Sequence, residues 1–271
     1  MKIAILGAYK TGTTALFYLL RDALDPPTRT LFEPARYVPA SGDERRNVLA
    51  KVILGAPGRD WRVDYRSFAE FDKKILLTRD PRDWLISGML FMIQQVPALY
   101  ADDRHFKEIL AMLRRKESDP GCLSVKAMLM RLLEMRRESS LEAEIEWMRR
   151  HLQWLLDFDA TLAGHLVFPY EALVDGRFRD LQDYLGVSLS GHANVPTEHD
   201  HVTRTKSHGN WRHWFLPEDA ALFKPVFEPY IHRYGYSRIW HPASTPRIDP
   251  AHGSAYVART VGKRLSADRD S

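Results

Sequence analysis

Cysteine is almost missing from this chain: Cys122 is the only one in 271 residues. A single thiol excludes an intrachain disulfide framework and a cysteine-built zinc site, and it fits a reducing compartment. Long apolar runs are missing too. The longest, Leu85 to Ile93, falls well short of the roughly 20 residues that cross a bilayer, so no integral membrane segment is expected. The first residues enter a strand at once, without the basic and apolar region of a targeting signal, and a cytosolic protein is expected. Neither charge sign dominates, with 39 Lys and Arg against 35 Asp and Glu and a net charge of +4. That excess suits an enzyme that binds small anions, and no long stripe alternates aromatic with basic residues, so no nucleic-acid partner is expected. His192, His199 and His201 crowd one loop, but no carboxylate motif stands at ligand spacing around them, and no metal site is expected. Repeats and low-complexity tracts are absent.

What is present is concentrated at the start. Ile3-Ala4-Ile5-Leu6 is an apolar, strand-like run, Gly7 to Gly12 a glycine-bounded turn, and Thr13-Thr14 followed by Ala15 to Leu20 a helix start. The spacing nearly makes G-x-x-x-x-G-K-[ST], the phosphate loop of nucleotide kinases, except that Thr13 occupies the lysine position and the only lysine, Lys10, lies inside the loop. Backbone N–H groups at the helix start, with the Thr hydroxyls and the helix dipole, still favour an anion. A lysine beside a metal-bound triphosphate is lost. A nucleotide kinase or NTPase is therefore the rival reading rather than the leading one, and a non-catalytic nucleotide-binding protein is the other.

At this length one α/β domain with an insertion is expected over two independent domains. Residues 1–240 read as that domain, with a helical insertion at about 100–158, and 241–271 as an extended or flexible tail. After the first helix, Arg29 to Phe32 reads as a strand ending at Glu33-Pro34. Asp43 to Leu49 reads as a short helix before an apolar strand, Ala50 to Leu54, and a turn over Gly55 to Gly58. Lys51 inside that strand needs an acidic partner or an exit to solvent. Lys74 to Thr78 is the clearest later strand. Asp80 and Pro81 then cap and open a helix, which puts Arg79 at a strand's carboxyl end and Ser87 two turns into that helix. Leu141, Ile145, Met148, Leu152 and Leu155 recur at helical spacing. Leu166 to Phe168 resumes the sheet, Phe178 to Leu185 is a helix ending at Gly186, and Pro217 to Tyr230 forms a late helix. Between them, Arg204 to Phe215 concentrates cations, small residues and aromatics.

The loop around Lys10, the Arg79 and Ser87 pair, and the Arg204 to Arg212 stretch stand in an order that resembles the sulfotransferases using 3'-phosphoadenosine 5'-phosphosulfate (PAPS). The resemblance implies a three-layer, P-loop-like α/β fold with a central, mostly parallel sheet flanked by helices. Lys10, Thr11, Gly12, Thr13 and Thr14 would hold the 5'-phosphosulfate, and Arg79 and Ser87 the 3'-phosphate. Tyr170, in Tyr170-Glu171-Ala172-Leu173, is similar to the family's Tyr-Glu-Asp segment, whose tyrosine lies near the adenine. Arg204, Gly209, Asn210, Trp211 and Arg212 match the late Arg-Lys-Gly-x-x-Gly-Asp-Trp-Lys pattern, in a loop that closes over the nucleotide. The match departs at Thr205 and Lys206, leaving open which of Arg204 and Lys206 reaches the phosphate. The resemblance does not reach the helical insertion or the tail.

PAPS is then the co-substrate, adenosine 3',5'-bisphosphate the product, and no metal is implied. Sulfuryl transfer, like phosphoryl transfer, passes charge to a bridging leaving-group oxygen, so positioning and electrostatics dominate catalysis. Lys10 suits that oxygen. The acceptor's proton needs a base. No histidine follows Lys51 as in the family's cytosolic small-phenol branch, whereas Glu33 looks like the glutamate base of its bacterial and carbohydrate branches; the alternative is that Glu33 only pairs with an arginine such as Arg36. The acceptor implied is a hydroxyl of a carbohydrate, lipid or small molecule, with an amine as the secondary reading.

Overall fold

The computed structural model describes residues 1–55, 63–101, 103–136, 140–191, 193–197, 199 and 204–267, with side chains described as far as residue 262 at the C-terminal end. In chain order the strands and helices are β1 (Lys2–Ala8), α1 (Thr13–Ala23), β2 (Thr28–Phe32), β3 (Asn47–Leu54), β4 (Lys73–Thr78), α2 (Pro81–Ile93), α3 (Ala98–Ala101), α4 (Asp103–Ser118), α5 (Val125–Arg136), α6 (Leu141–Thr161), β5 (His165–Pro169), α7 (Tyr170–Val174), α8 (Arg179–Leu185), α9 (Trp211–Trp214), α10 (Pro217–Arg233) and α11 (Ser254–Ala267). They fall into two compact units, Met1–Arg79 with His151–Thr203, and Asp80–Arg150 with Arg204–Ser271.

The first unit holds the sheet, five strands in the order β2-β3-β1-β4-β5. Every neighbouring pair is parallel, so the expected mostly parallel sheet is wholly parallel among the described residues. Buried on both faces, β1 and, apart from Lys51, β3 read as apolar runs instead of alternating ones. Leu16 and Leu20 of α1 join Ile3, Ile5, Leu49 and Ile75 in one core, with Phe168, Leu181 and Leu185. Full burial of each such side chain stabilises by about 1.5–3 kcal/mol. Parallel pairing sets all five carboxyl ends on one edge. The chain leaves β1 for β3 and β2 on one side and for β4 and β5 on the other, so the end of β1 is the topological switch point, where open α/β sheets take ligands.

The helix expected over Asp43 to Leu49 does not form. Residues 41–46 are turn and bend, and β3 already begins at Asn47. The reason lies in Asp43, whose carboxylate accepts from the Ala40 N–H, Tyr37 Oη, Arg29 and Arg46 and so ties up the loop around itself. Burial raises its pKa, but the Ala40, Arg46, Tyr37 and Arg29 bonds outweigh this and hold it well below the usual carboxylate range.

In the second unit, α2 is the central element: Pro81 to Leu90 are all buried. That explains an apolar run without amphipathic period. Asp80 caps it by accepting from the Arg82 N–H at 3.0 Å, with Pro81 in the first turn, as the sequence implies. Helices α5, α9, α10 and α11 all pack on α2.

Residues 241–271, expected to be extended or flexible, contain α11. Tyr256, Val257 and Val261 are fully buried, and α11 packs on α2 and α4. Its start is fixed by Glu117 of α4, whose two carboxylate oxygens accept from the Ser254 N–H at 2.5 Å and Ser254 Oγ at 2.7 Å. This cap comes from a residue 137 positions earlier, so no local pattern betrays it.

Candidate functional site

The turn between β1 and α1 is built on close approach. A Cβ on Gly7 would lie 2.8 Å from Thr11 Oγ1 and from Thr13 Cγ2 and 3.1 Å from the Leu77 carbonyl oxygen, so only glycine fits. Thr11 closes the turn, its N–H and its Oγ1 both donating to the Ala8 carbonyl, at 3.3 and 2.6 Å. Gly12, the N-cap of α1, has φ 94°, and a Cβ there would meet Tyr170 Cδ2 at 2.5 Å. Among the described residues no side chain caps this helix start, and its first turn carries no acidic residue. The first bond in the helical register is Leu16 N–H to the Gly12 carbonyl, so the N–H groups ahead of it face an anion-favouring helix end. Thr11, Thr13 and Thr14 are buried in the turn, and Lys10 at its tip has φ 62°.

Arg79, at the end of β4, is 4% exposed. Its Nη1 donates to the Lys10 carbonyl at 2.7 Å, and its guanidinium lies 4.3 Å from the centroid of the Tyr170 ring. Tyr170, the first residue after β5, therefore touches both the N-cap glycine and Arg79. The other two buried nitrogens of Arg79, Nε and Nη2, have no partner among the described residues. A buried, always-charged group with unmet donors costs several kcal/mol unless an anion meets it. Lys10, Thr11, Gly12, Arg79 and Tyr170 are thus one cluster at the carboxyl edge of the sheet.

Glu33 follows β2 on that edge. Lys51 of β3, 2% exposed, answers the demand for an acidic partner: its Nζ lies 2.5 Å from Glu33 Oε1 and 3.9 Å from the centroid of Phe32. Burial pushes the Lys51 ammonium below its ordinary pKa, and the Glu33 carboxylate restores part of the loss. Glu33 also donates its N–H to the Lys51 carbonyl at 2.8 Å and has φ 53°. Among the described residues, Lys10 and Glu33 are the non-glycine positions with positive φ. Such strain persists where surrounding contacts enforce it, and it gathers at functional sites.

The remaining sequence-marked residues belong to the second unit. Ser87 is buried on α2, one turn after Asp83. Asp83, fully buried, accepts from the Gly209 N–H at 2.5 Å and the Trp211 N–H at 2.9 Å, so it anchors the late loop. Asn210 Nδ2 donates to Ser207 Oγ at 2.9 Å, and the Arg212 guanidinium sits 5.3 Å from the Trp211 ring. Arg204 is buried, with Nη1 donating to the His252 carbonyl, while Lys206 is exposed. Arg82 pairs with Asp80 at 2.6 Å and stacks 4.2 Å from the Trp211 ring. Nothing in the sequence marks Asp83 as a loop anchor, because its partners are backbone groups more than 120 residues away.

His192, His201 and the end of the expected Gly55 to Gly58 turn lie outside the described residues. His199 stacks on Phe32 with ring centroids 4.5 Å apart. Trp147 stacks on Trp84, and Trp154 on Phe158, which fits packing roles.

No family model matches the sequence, and no curated protein does. Among solved structures, a mouse sulfotransferase, SULT7A1, complexed with PAP is similar to it, with 14% identity, coverage of 85% of this chain and 84% of that one, and a TM-score of 0.48. Likeness at that level adds no weight to any residue's role, and the chemistry rests on this chain's own side chains.

Proposed function

We propose that this protein is a sulfotransferase that moves the sulfuryl group of PAPS to a hydroxyl of a carbohydrate, lipid or small-molecule acceptor. The observation that carries the reading is Arg79, a guanidinium 4% exposed whose Nε and Nη2 lack partners among the described residues, beside a strand-loop-helix turn without the kinase lysine. A buried arginine fork with spare donors suits a phosphate monoester, the group that separates PAPS from ATP. The α1 start and its buried threonines suit a second anionic group, and the Tyr170 ring beside Arg79 suits a flat base.

In the reaction, the acceptor oxygen attacks sulfur while the bond from sulfur to the bridging oxygen breaks. Lys10 stabilises the charge arriving on that oxygen, and Glu33 takes the acceptor's proton. Lys51 holds the Glu33 carboxylate in place. The products are a sulfate ester and adenosine 3',5'-bisphosphate. Ser87, Arg204, Lys206, Gly209, Asn210, Trp211 and Arg212 are assigned to the nucleotide by resemblance alone. The test is radiolabelled PAPS offered with sugars, lipids, phenols and small amines. Transfer of label to one class supports the reading; turnover of ATP with Mg2+ and none of PAPS would replace it with the kinase.

A further inference from the structure

The late loop, expected to close over a nucleotide, is tied down from two directions within its own unit. From α2, Asp83 accepts from the N–H groups of Gly209 and Trp211, and Arg82 packs its guanidinium on the Trp211 ring. Arg82 is itself locked by Asp80 and donates to the carbonyls of Ser237 at 2.8 Å and Ile239 at 2.7 Å. From the C-terminal side, Ala243 N–H donates to the Arg212 carbonyl at 2.7 Å, and Arg247 N–H to His213 Nδ1 at 3.2 Å. Arg204 Nη1 reaches the His252 carbonyl at 3.2 Å.

That segment is in turn fastened by α11. Glu117 holds the Ser254 N–H and hydroxyl, and a Cβ at Gly253 would fall 2.3 Å from Glu117 Oε1, so glycine is needed for the carboxylate to enter. Tyr256, in the first turn of α11, is fully buried near Arg204 and Arg259. Its hydroxyl is pushed up to about 12 by burial, against the pull of both cations.

We infer that the loop from Arg204 to Trp214 is set before any ligand arrives, and that Asp83 and the segment from Ser237 to Val261 are its positioning elements. A loop ordered in advance spares a ligand the entropy of ordering it, which gives the C-terminal helix a part in affinity without touching ligand. The identity of the ligand rests on the proposed function, whereas the state of the loop without ligand does not.

Amide hydrogen exchange on the full, ligand-free chain tests this. Gly209 and Trp211 should exchange about 100-fold or more slowly than unstructured amides. Asp83→Asn should speed exchange at both about ten-fold or more while β1, β3 and α1 stay unchanged, because a neutral amide is a weaker acceptor for two N–H groups. Glu117→Gln should speed exchange in residues 252–262 and, together with them, at Ala243 and Arg247, whose N–H groups hold the Arg212 carbonyl and His213. Free exchange of 205–211 in the parent, with protection appearing only on adding adenosine 3',5'-bisphosphate, would overturn the inference in favour of a closing lid. Fast exchange in α11 of Glu117→Gln with Ala243 and Arg247 still protected would overturn the role of the C-terminal segment. A protected loop in a protein that does not bind adenosine 3',5'-bisphosphate would sink the nucleotide reading and leave this inference standing.

Discussion

Glu33 and Lys51 are worth more as a pair than either is alone. The Lys51 side chain is 3% exposed and that of Glu33 43%, so the ammonium depends on the carboxylate while the carboxylate still reaches solvent. A half-open carboxylate held by a buried cation suits the proposed role of a base that must meet an acceptor. Glu33→Gln should abolish turnover, scored per folded molecule, while calorimetry shows unchanged affinity for adenosine 3',5'-bisphosphate. Breaking a fully buried pair costs about 3–5 kcal/mol, and the exposure of Glu33 reduces this to about 1–2 kcal/mol in denaturant melts. Full activity in Glu33→Gln would move the base elsewhere. Asp43 makes a separate prediction at this scale. Its folded-state pKa lies below the unfolded value near 3.9, so its stabilisation is present above about pH 4 and fades as pH falls toward the folded value. Asp43→Asn should lower stability at pH 7 and flatten its decline between about pH 4 and pH 2; an unchanged acid slope would contradict the ledger of bonds around Asp43. Lys51 was legible as a lysine in need of an acid, but which acid was not, since pairing β2 with β3 is a tertiary fact.

The strand-turn-helix at the start was legible almost in full because each part answers to a local rule. Its apolar run, its glycines and its helix start are sequence-local, and the structure has β1, the turn and α1 in those positions. What the pattern did not disclose is why Gly12 is needed twice over, once for its φ of 94° and once for the Tyr170 ring. Gly12→Ala should therefore cost more than the roughly 1 kcal/mol typical of a left-handed alanine, about 2–4 kcal/mol, because the ring must also move. A loss under 1 kcal/mol in thermal or denaturant unfolding would mean that the ring yields freely. Elements decided by side-chain partners that no periodic pattern marks were the ones misread. Asp43 has a helix-cap residue's chemistry and spends it on Arg29, Tyr37 and Arg46 instead. Among the described side chains of helix α11, Tyr256, Val257 and Val261 form a short buried apolar stripe, and the helix's cap comes from α4.

At the scale of the molecule, the parallel sheet was legible because its strands are buried runs separated by glycine, proline and cap signals. Strand order was not, and it is the order that makes the end of β1 a switch point with Arg79 following its neighbour β4. The division of the chain into two units was also hidden, since Asp80–Arg150 and Arg204–Ser271 are distant in sequence. The candidate site was legible to the extent that its residues follow strand ends: Lys10 after β1, Glu33 after β2, Arg79 after β4 and Tyr170 after β5. Their contacts, above all Arg79 with the Lys10 carbonyl and the Tyr170 ring, came only with the fold.

The central claim is that the spare donors of Arg79 are there for a phosphate monoester. Calorimetric titration of the parent and of Arg79→Ala with adenosine 3',5'-bisphosphate and with AMP tests it most directly. The parent should prefer the bisphosphate, and Arg79→Ala should lose about 1.5–3 kcal/mol of that binding with little change for AMP, the worth of charge-assisted bonds at a buried site. Equal affinity of the parent for the two nucleotides, or an Arg79→Ala variant that keeps the preference, would contradict it.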